Sequence, residues 1–254
     1  YTYLSTLLLV MEAAAENDIK VIVLDRPNPH GHHVKGPMLD PDFSSFVGLA
    51  PVPVVHGMTL GEIALMANGE GWLKGGIVAD LDVISCEGYK HSSGYSLPIA
   101  PSPNLPSYQS IALYPSLCFL EPTAVSIGRG TPTPFEITGY PGNTKGDVQF
   151  TPVSTPGASP NPKHKDQLCN GQNLSTHKTT WDLSMLFDYA EHFRNDQGEL
   201  EGFFTSESFF DKLAGTNQLR IALENGLCLE DIEASWEADL EEFKISRTPY
   251  LLYP

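Results

Sequence analysis

The segment Glu121–Thr131 carries the residue types best suited to chemistry on an anionic ligand. Glu121 ends an apolar run that we predict to be strand-like, where a partly buried carboxyl group can donate a proton or support a reaction. Arg129 stands between Gly128 and Gly130, which let the backbone bend close to a ligand while the guanidinium offers a planar fork to a carboxylate or phosphate. Thr131 adds a hydroxyl group to this segment. An ion pair between Glu121 and Arg129 that only holds the turn explains the pattern equally well.

A loop framed by two prolines supplies a second set of polar side chains. Arg26 and Asn28 lie in the run Asp25-Arg26-Pro27-Asn28-Pro29, directly after a predicted parallel strand. Open α/β folds bind ligands at the carboxyl ends of their strands, so both side chains are candidate ligand contacts. The alternative is that Asp25 pairs with Arg26 and only stabilises a turn.

His56 and Asn104 are further candidates for ligand binding. His56 closes a predicted strand, Val52–His56, and is expected at a carboxyl end as well. Asn104 lies among the prolines of Pro101–Pro106, which restrict its conformation and suit a hydrogen-bonding group that must be held still. An Asn104 side chain that closes its own turn is an equally good interpretation.

His30, His32 and His33 suggest a metal-dependent hydrolase. They lack the His-Glu-x-x-His spacing and a downstream carboxylate in a recognised metal pattern, so we interpret them as an exposed histidine-rich turn and predict no metal site. The sequence also lacks Gly-x-Gly-x-x-Gly, P-loop and Gly-x-Ser-x-Gly motifs. We therefore expect no cofactor and neither dinucleotide, nucleoside triphosphate nor ordinary serine-hydrolase chemistry.

The elements that must position these side chains begin with an α/β pattern. Apolar residues recur at helical spacing over residues 4–11, and the short β-branched run Lys20–Asp25 is typical of a strand buried in a parallel sheet. Thr59 opens a predicted helix over Leu60–Asn68 with a capping-box acid at Glu62, and Asp82–Cys86 is a third predicted strand. Residues 1–95 are thus predicted to be the trailing part of an α/β layered domain.

Residues 96–254 are predicted to form a second domain. Thirteen of the 21 prolines lie between Pro98 and Pro162, so we expect long ordered loops on a short sheet there and no helices through this stretch. From Trp181 onward two apolar stripes predict helices, with Gly215 and Gly226 at helix ends. The stripes are Leu183, Leu186, Phe187, Ala190 and Phe193, and Ile232, Trp236, Leu240 and Phe243.

Composition excludes some classes of function. The chain has 254 residues, 41% of them hydrophobic, which suffices for a substantial core. Its 31 acidic residues against 15 basic ones give a net charge of −16, which repels nucleic acid and anionic membrane surfaces. The longest apolar run is much shorter than the roughly 20 residues of a spanning helix.

The four scattered cysteines predict buried thiols, with one or two disulfides as the alternative.

Several segments, in order along the chain, resemble the NamZ-type exo-β-N-acetylmuramidases, a glycoside hydrolase family formerly known as an uncharacterised bacterial domain family. Because these segments extend over essentially the whole chain, the resemblance is more specific than a single motif. They are Tyr1-Thr2-Tyr3, Val23–Pro29, Gly36–Asp40, Phe46–Gly48, Pro53–Glu62, Pro101–Pro106, Tyr114-Pro115, Gly128–Thr131 and Tyr250–Tyr253.

The resemblance implies an α/β protein with a Rossmann-like parallel-sheet domain, of which this chain holds the tail, and a mixed α/β C-terminal domain. The active site is expected in the cleft between the two. A Glu-His-Gly motif with the principal catalytic glutamate is expected upstream of Tyr1, so we interpret the chain as a fragment or processed product. Ile127 departs from the family pattern, in which many relatives carry Glu before Gly-Arg-Gly-Thr.

The implied reaction is removal of N-acetylmuramic acid from the non-reducing ends of peptidoglycan fragments, in cell-wall recycling outside the cytoplasm (periplasmic or secreted). Muramyl saccharides are then the expected partners. In so acidic a protein the lactyl carboxylate of muramic acid needs a local cation, for which Arg129 and secondarily Arg26 are expected. Glu121 is the candidate supporting carboxylate, and the remaining expected substrate contacts are Asn28, His56, Asn104 and Thr131. A non-catalytic muramyl-binding fragment is the alternative.

Overall fold

The structure, a computed structural model, describes residues 2–177 and 181–254, so Tyr1 of the resembling segments lies outside the described residues. The fold is mixed α/β, as predicted. One compact unit extends to Tyr95 and also takes in Asp211–Thr216 and Glu233–Pro254, and the other comprises Ser96–Phe210 and Asn217–Ile232. The predicted domain ranges, 1–95 and 96–254, stay a prediction.

The first unit combines helices with two short pairs of strands. The predicted first helix is confirmed and ends where Asp18 takes a left-handed φ of 54°. Its side chains pack with the second helix around Leu8, Met11 and Ala64. In chain order the elements are α1 (Thr2–Glu16), β1 (Val21–Leu24), β2 (Lys35–Met38), β3 (Pro53–Val55), α2 (Leu60–Gly69) and β4 (Leu81–Ile84).

Strands β1 and β4 pair in parallel, with Val21 opposite Leu81, as the β-branched run predicts. β3 instead pairs antiparallel with β2. His56 follows the carboxyl end of β3, as predicted, but the strand does not belong to a parallel sheet. Pro53, which begins β3, has no N–H group to donate, and this favours a short edge pairing over a central position in a sheet.

The second unit contains a three-stranded antiparallel sheet in the order β5-β7-β6, which confirms the predicted short sheet. Ile137, Phe150 and Cys169 form its buried cluster. The remaining elements in chain order are α3 (Tyr108–Leu117), β5 (Ile137–Tyr140), β6 (Val148–Phe150), β7 (Cys169–Asn173), α4 (Ser184–His192), α5 (Glu207–Ala214), α6 (Gln218–Glu224) and α7 (Leu229–Ser246).

Helix α3 contradicts the prediction that no helix runs through the proline-rich stretch. Ser107 and Ser110 form a reciprocal capping box that starts α3. Pro115 lies in the last turn of α3, so only two helical residues follow it.

The C-terminal helices follow their predicted stripes. Leu183, Leu186 and Ala190 are buried, as are all four members of the stripe on α7. Gly215 and Gly226 end α5 and α6 with φ values of 74° and 67°.

In the part of the chain that the structure describes, no helix has both the length and the apolar character needed to cross a membrane. All four cysteines are free thiols, with Cys118 and Cys169 buried and Cys228 exposed.

Candidate functional site

The acid and the arginine singled out in the second unit do form an ion pair. Arg129 Nη2 donates to both carboxylate oxygens of Glu121, at 3.0 Å each. The Arg129 side chain is 32% exposed and that of Glu121 is 24% exposed, so the pair is accessible to a ligand. The ion pair that the sequence suggested is thus present, and the exposure of both side chains leaves a ligand-binding role open.

The local backbone explains how Arg129 reaches this position. Gly128 and Gly130 have φ values of 76° and 82°, conformations that favour glycine. The guanidinium lies 5.3 Å from the ring centroid of Phe135, a cation–π contact that supports its face. Thr131 Oγ1 donates to the Gly128 carbonyl at 2.7 Å and closes the turn.

Glu121 does not follow a strand, which corrects the prediction. It caps a 3-10 helix, Cys118–Leu120, that continues directly from α3. The residues before Glu121 are apolar because the end of α3 and the 3-10 helix are buried. A short run of buried apolar residues fits a helix as well as a strand, so the run alone does not distinguish the two.

Lys163 belongs to the same neighbourhood. Its ammonium group donates to backbone carbonyls of the segment that carries Glu121, among them the Glu121 carbonyl itself at 2.9 Å. His164 contacts that segment through Nε2, 2.6 Å from the Ala124 carbonyl. These contacts join residues some 40 positions apart in sequence, and no local sequence pattern indicates them.

Asn104 links two loops of the second unit. Its Nδ2 donates to the Ala158 carbonyl at 2.9 Å, and the side chain is buried. The Asn104 side chain is therefore neither wholly free for a ligand nor engaged only in its own turn. One N–H of the amide group remains for a ligand.

In the first unit, Asp25 does not pair with Arg26. Asp25 accepts hydrogen bonds from Thr59 Oγ1 at 2.6 Å, from Gly61 N at 2.9 Å and from Tyr253 Oη at 2.7 Å. Arg26 is exposed and forms no ion pair with any described residue. Its charge is therefore available to an anionic ligand.

Asn28 and His56 are brought together by Met58. Asn28 Nδ2 donates to the Met58 carbonyl at 2.9 Å, and the Met58 N–H donates to His56 Nδ1 at 3.1 Å. Burial, reinforced by the positive charge of Arg247, lowers the pKa of His56 to about 3. The ring is thus neutral near pH 7, and since Nδ1 accepts, Nε2 carries the hydrogen and is a potential donor.

Glu62 and His91 are polar residues whose pairing the sequence did not reveal. The predicted capping box at Thr59 is confirmed, with Glu62 Oε2 accepting from the Thr59 N–H at 2.8 Å. The other oxygen, Oε1, lies 2.9 Å from His91 Nε2 and accepts from the Leu252 N–H at 2.8 Å. Within the first unit, this buried carboxylate thus connects the C-terminal residues with α2.

The three clustered histidines give no support to a metal-dependent hydrolase. His32 is exposed and its ring lies 3.8 Å from that of His33. Among residues 2–177 and 181–254, no group of three or more His, Cys, Asp or Glu side chains is arranged to hold a metal ion.

Comparison with known families matches the chain from end to end. The family described as "Exo-beta-N-acetylmuramidase NamZ, N-terminal" matches residues 1–109, and "Exo-beta-N-acetylmuramidase NamZ, C-terminal" matches residues 112–253. A protein of Bacillus subtilis (strain 168), "Peptidoglycan beta-N-acetylmuramidase NamZ", is 39% identical over 283 residues. That alignment covers 100% of this chain and 64% of the relative, so the chain spans less than two thirds of the relative's length.

Two crystal structures of DUF1343 family proteins from Bacteroides fragilis NCTC 9343 are similar to this structure. One has a TM-score of 0.92 and 47% sequence identity. The other has a TM-score of 0.85 and 25% identity. Each comparison covers 100% of this chain and 71% of the other.

Proposed function

This chain belongs to the exo-β-N-acetylmuramidase NamZ family, and from that membership we propose that the protein is a glycoside hydrolase that releases N-acetylmuramic acid from the non-reducing ends of peptidoglycan fragments. The proposal includes a role in cell-wall recycling and action outside the cytoplasm. The observation that carries it is the accessible Arg129 guanidinium, held by Glu121 and Phe135 in an otherwise acidic protein.

Muramic acid differs from glucosamine by a lactyl ether that ends in a carboxylate. A protein with a net charge of −16 repels such an anion unless a local cation receives it. Glu121 holds Nη2 of Arg129, and Nη1 has no hydrogen-bond partner among the described residues. We assign the lactyl carboxylate to Nη1 of Arg129.

Glycoside hydrolysis requires an acid at the leaving oxygen and a base, nucleophile or neighbouring acetamide on the other side of the sugar. We assign to Glu121 the role of a supporting carboxylate that stabilises the positive charge developing at the sugar ring. We leave the role of principal catalytic acid with the glutamate of the Glu-His-Gly motif, as the family resemblance implies. Hydrogen bonds to hydroxyl or acetamide groups are proposed for Asn28, His56, Asn104 and Thr131.

The proposal is tested by the hydrolysis of a chromogenic N-acetylmuramide and the matching N-acetylglucosaminide. We expect the complete protein to cleave the muramide and to leave the glucosaminide almost intact. Absence of muramide turnover in the complete protein would overturn the proposed activity.

Calorimetry on this chain separates binding from catalysis. We expect N-acetylmuramic acid to bind more tightly than N-acetylglucosamine, because only the former carries the carboxylate. Binding of this kind without turnover by this chain supports the non-catalytic alternative for residues 1–254. Turnover by this chain alone would show that a sufficient acid lies within it.

A further inference from the structure

The ammonium group of Lys163 is surrounded by four backbone carbonyls of one short segment. Nζ lies 2.9 Å from the carbonyl oxygen of Glu121, 3.0 Å from that of Val125 and 3.3 Å from that of Leu120, and it also contacts that of Thr123, so its three N–H groups are shared among four acceptors. The segment 120–125 therefore curls around a single positive charge.

The four convergent carbonyls need the positive charge of Lys163. Four carbonyl dipoles that converge on one point repel each other, and a buried carbonyl without a donor costs free energy. A lysine supplies three N–H donors and a full charge at that point. His164 adds a contact to the Ala124 carbonyl, so consecutive residues of one loop fasten the same segment.

The loop that carries Lys163 also contacts the backbone next to Arg129, the second member of the ion pair. Gly130, next to Arg129, accepts a hydrogen bond from the Val153 N–H at 2.9 Å. A Cβ atom built at Gly130 would lie 2.6 Å from the Val153 carbonyl oxygen and 2.6 Å from Cγ of Pro162, so the backbone at Gly130 packs directly against this loop. One loop thus braces the residues on both sides of the Glu121–Arg129 pair.

We propose that Lys163 is a positioning residue of the muramyl site, whose ammonium fixes the backbone of residues 120–125 and so holds the Glu121 carboxylate against Arg129. This inference rests on the proposed function. Lys163 itself needs no contact with the sugar, because it acts through Glu121.

The protonation of Lys163 gives the proposal a second readout. Burial lowers the pKa of Lys163 to about 8, while the Glu121 carboxylate opposes this shift. The charged or titratable groups around it are Glu121 on the braced segment, Arg129 paired with that acid, and His164 on its own loop. The ammonium therefore predominates at pH 7 and declines above pH 8.

The experiment is a double-mutant cycle in the complete protein, read as kcat/KM on the chromogenic N-acetylmuramide. We expect Lys163→Met to lower kcat/KM at least about tenfold, the effect of roughly one charge-assisted hydrogen bond. In a Glu121→Gln background we expect less than about threefold further loss, because residues acting as a unit are not additive. If Glu121→Gln leaves too little turnover, the same cycle is read from the Kd of N-acetylmuramic acid.

The matched control is Lys165→Met, two positions away on the same loop, where the side chain is exposed and kcat/KM should change less than about twofold. Lys163→Arg keeps the charge at high pH, so its activity relative to the unaltered protein should rise between pH 8 and pH 9.5. This pH comparison decides the question if Lys163→Met does not fold.

The outcomes separate the two claims. Equal losses from Lys163→Met with and without Glu121, or a pH ratio that stays flat, would overturn the positioning role and leave the proposed function intact. An unaltered protein that neither cleaves the muramide nor binds N-acetylmuramic acid would overturn both.

Discussion

The phenolic hydroxyl of Tyr253 donates a hydrogen bond to Asp25 Oδ2 at 2.7 Å, although 228 positions separate the two residues. The same hydroxyl accepts from the Cys86 N–H at 2.9 Å. Burial raises the pKa of Tyr253, so the phenol stays protonated and remains a donor. One side chain near the C-terminus thereby connects the loop after β1 with the loop after β4.

We expect Tyr253→Phe to destabilise the protein by about 1–3 kcal/mol, since it removes a buried hydrogen bond to a charged acceptor. The measurement is the free energy of unfolding in urea. Tyr250→Phe is the matched control, because its hydroxyl donates to Glu70 at a solvent-exposed position and should cost only about 0.5 kcal/mol. Equal losses from both variants would contradict the importance of the Asp25 contact.

Gly128→Ala should be more harmful than Gly142→Ala. Both residues have left-handed φ values, 76° and 81°, so each alanine carries a conformational cost of about 1–2 kcal/mol. A Cβ at Gly128 would also lie 2.3 Å from Cγ2 of Ile137, whereas nothing lies within 4 Å at Gly142. Overpacking adds about 1–3 kcal/mol at Gly128, and thermal unfolding of the two variants measures the difference.

Arg129→Ala should change substrate preference as well as rate. If the guanidinium binds the lactyl carboxylate, kcat/KM on an N-acetylmuramide falls about tenfold to a hundredfold more than on the glucosaminide. Arg220→Ala is the control, because Arg220 also pairs with an acid of the second unit, Glu224 at 2.9 Å, outside the candidate site. Equal losses on both sugars for Arg129→Ala would remove the carboxylate assignment.

Stability should fall as the pH is lowered through the range in which His56 titrates. The pKa of His56 is about 3 in the folded protein and about 6.5 when unfolded, so between these values the unfolded chain binds the extra proton. His56 therefore contributes stability above pH 6.5, and this contribution is lost as the pH falls toward 3.

The variant His56→Asn tests this contribution, because an amide oxygen can still accept from the Met58 N–H but does not titrate in this range. We expect a shallower loss of unfolding free energy between pH 6.5 and pH 4 than in the unaltered protein. His32→Asn, at an exposed position, is the matched control for replacing a histidine by asparagine. Identical slopes for His56→Asn and the unaltered protein would contradict the assignment.

Features governed by neighbours a few positions away were predictable. The capping box of Thr59 and Glu62 and the buried stripe of α7 are visible in the order of residue types. The same is true of the strand Val21–Leu24. Helical periodicity and capping depend on residues three or four positions apart, so a linear pattern contains them.

The errors arose where local patterns were ambiguous. A short apolar run before Glu121 fits a strand or a buried helix, and the capping serines of α3 outweighed the prolines around it. β3 looked like its parallel neighbours in composition, yet its pairing partner was an antiparallel strand. Strand partners are chosen by packing in three dimensions, and residue order alone does not specify them.

The candidate site shows the same division. Residue types alone identified Glu121 and Arg129 as a couple with either a structural or a ligand-binding role, and identified the family to which the chain belongs. Folding added the four carbonyls around Lys163 and the hydroxyl of Tyr253 on Asp25. Such contacts join loops far apart in the chain, and they exist only after burial has removed water as the competing hydrogen-bond partner.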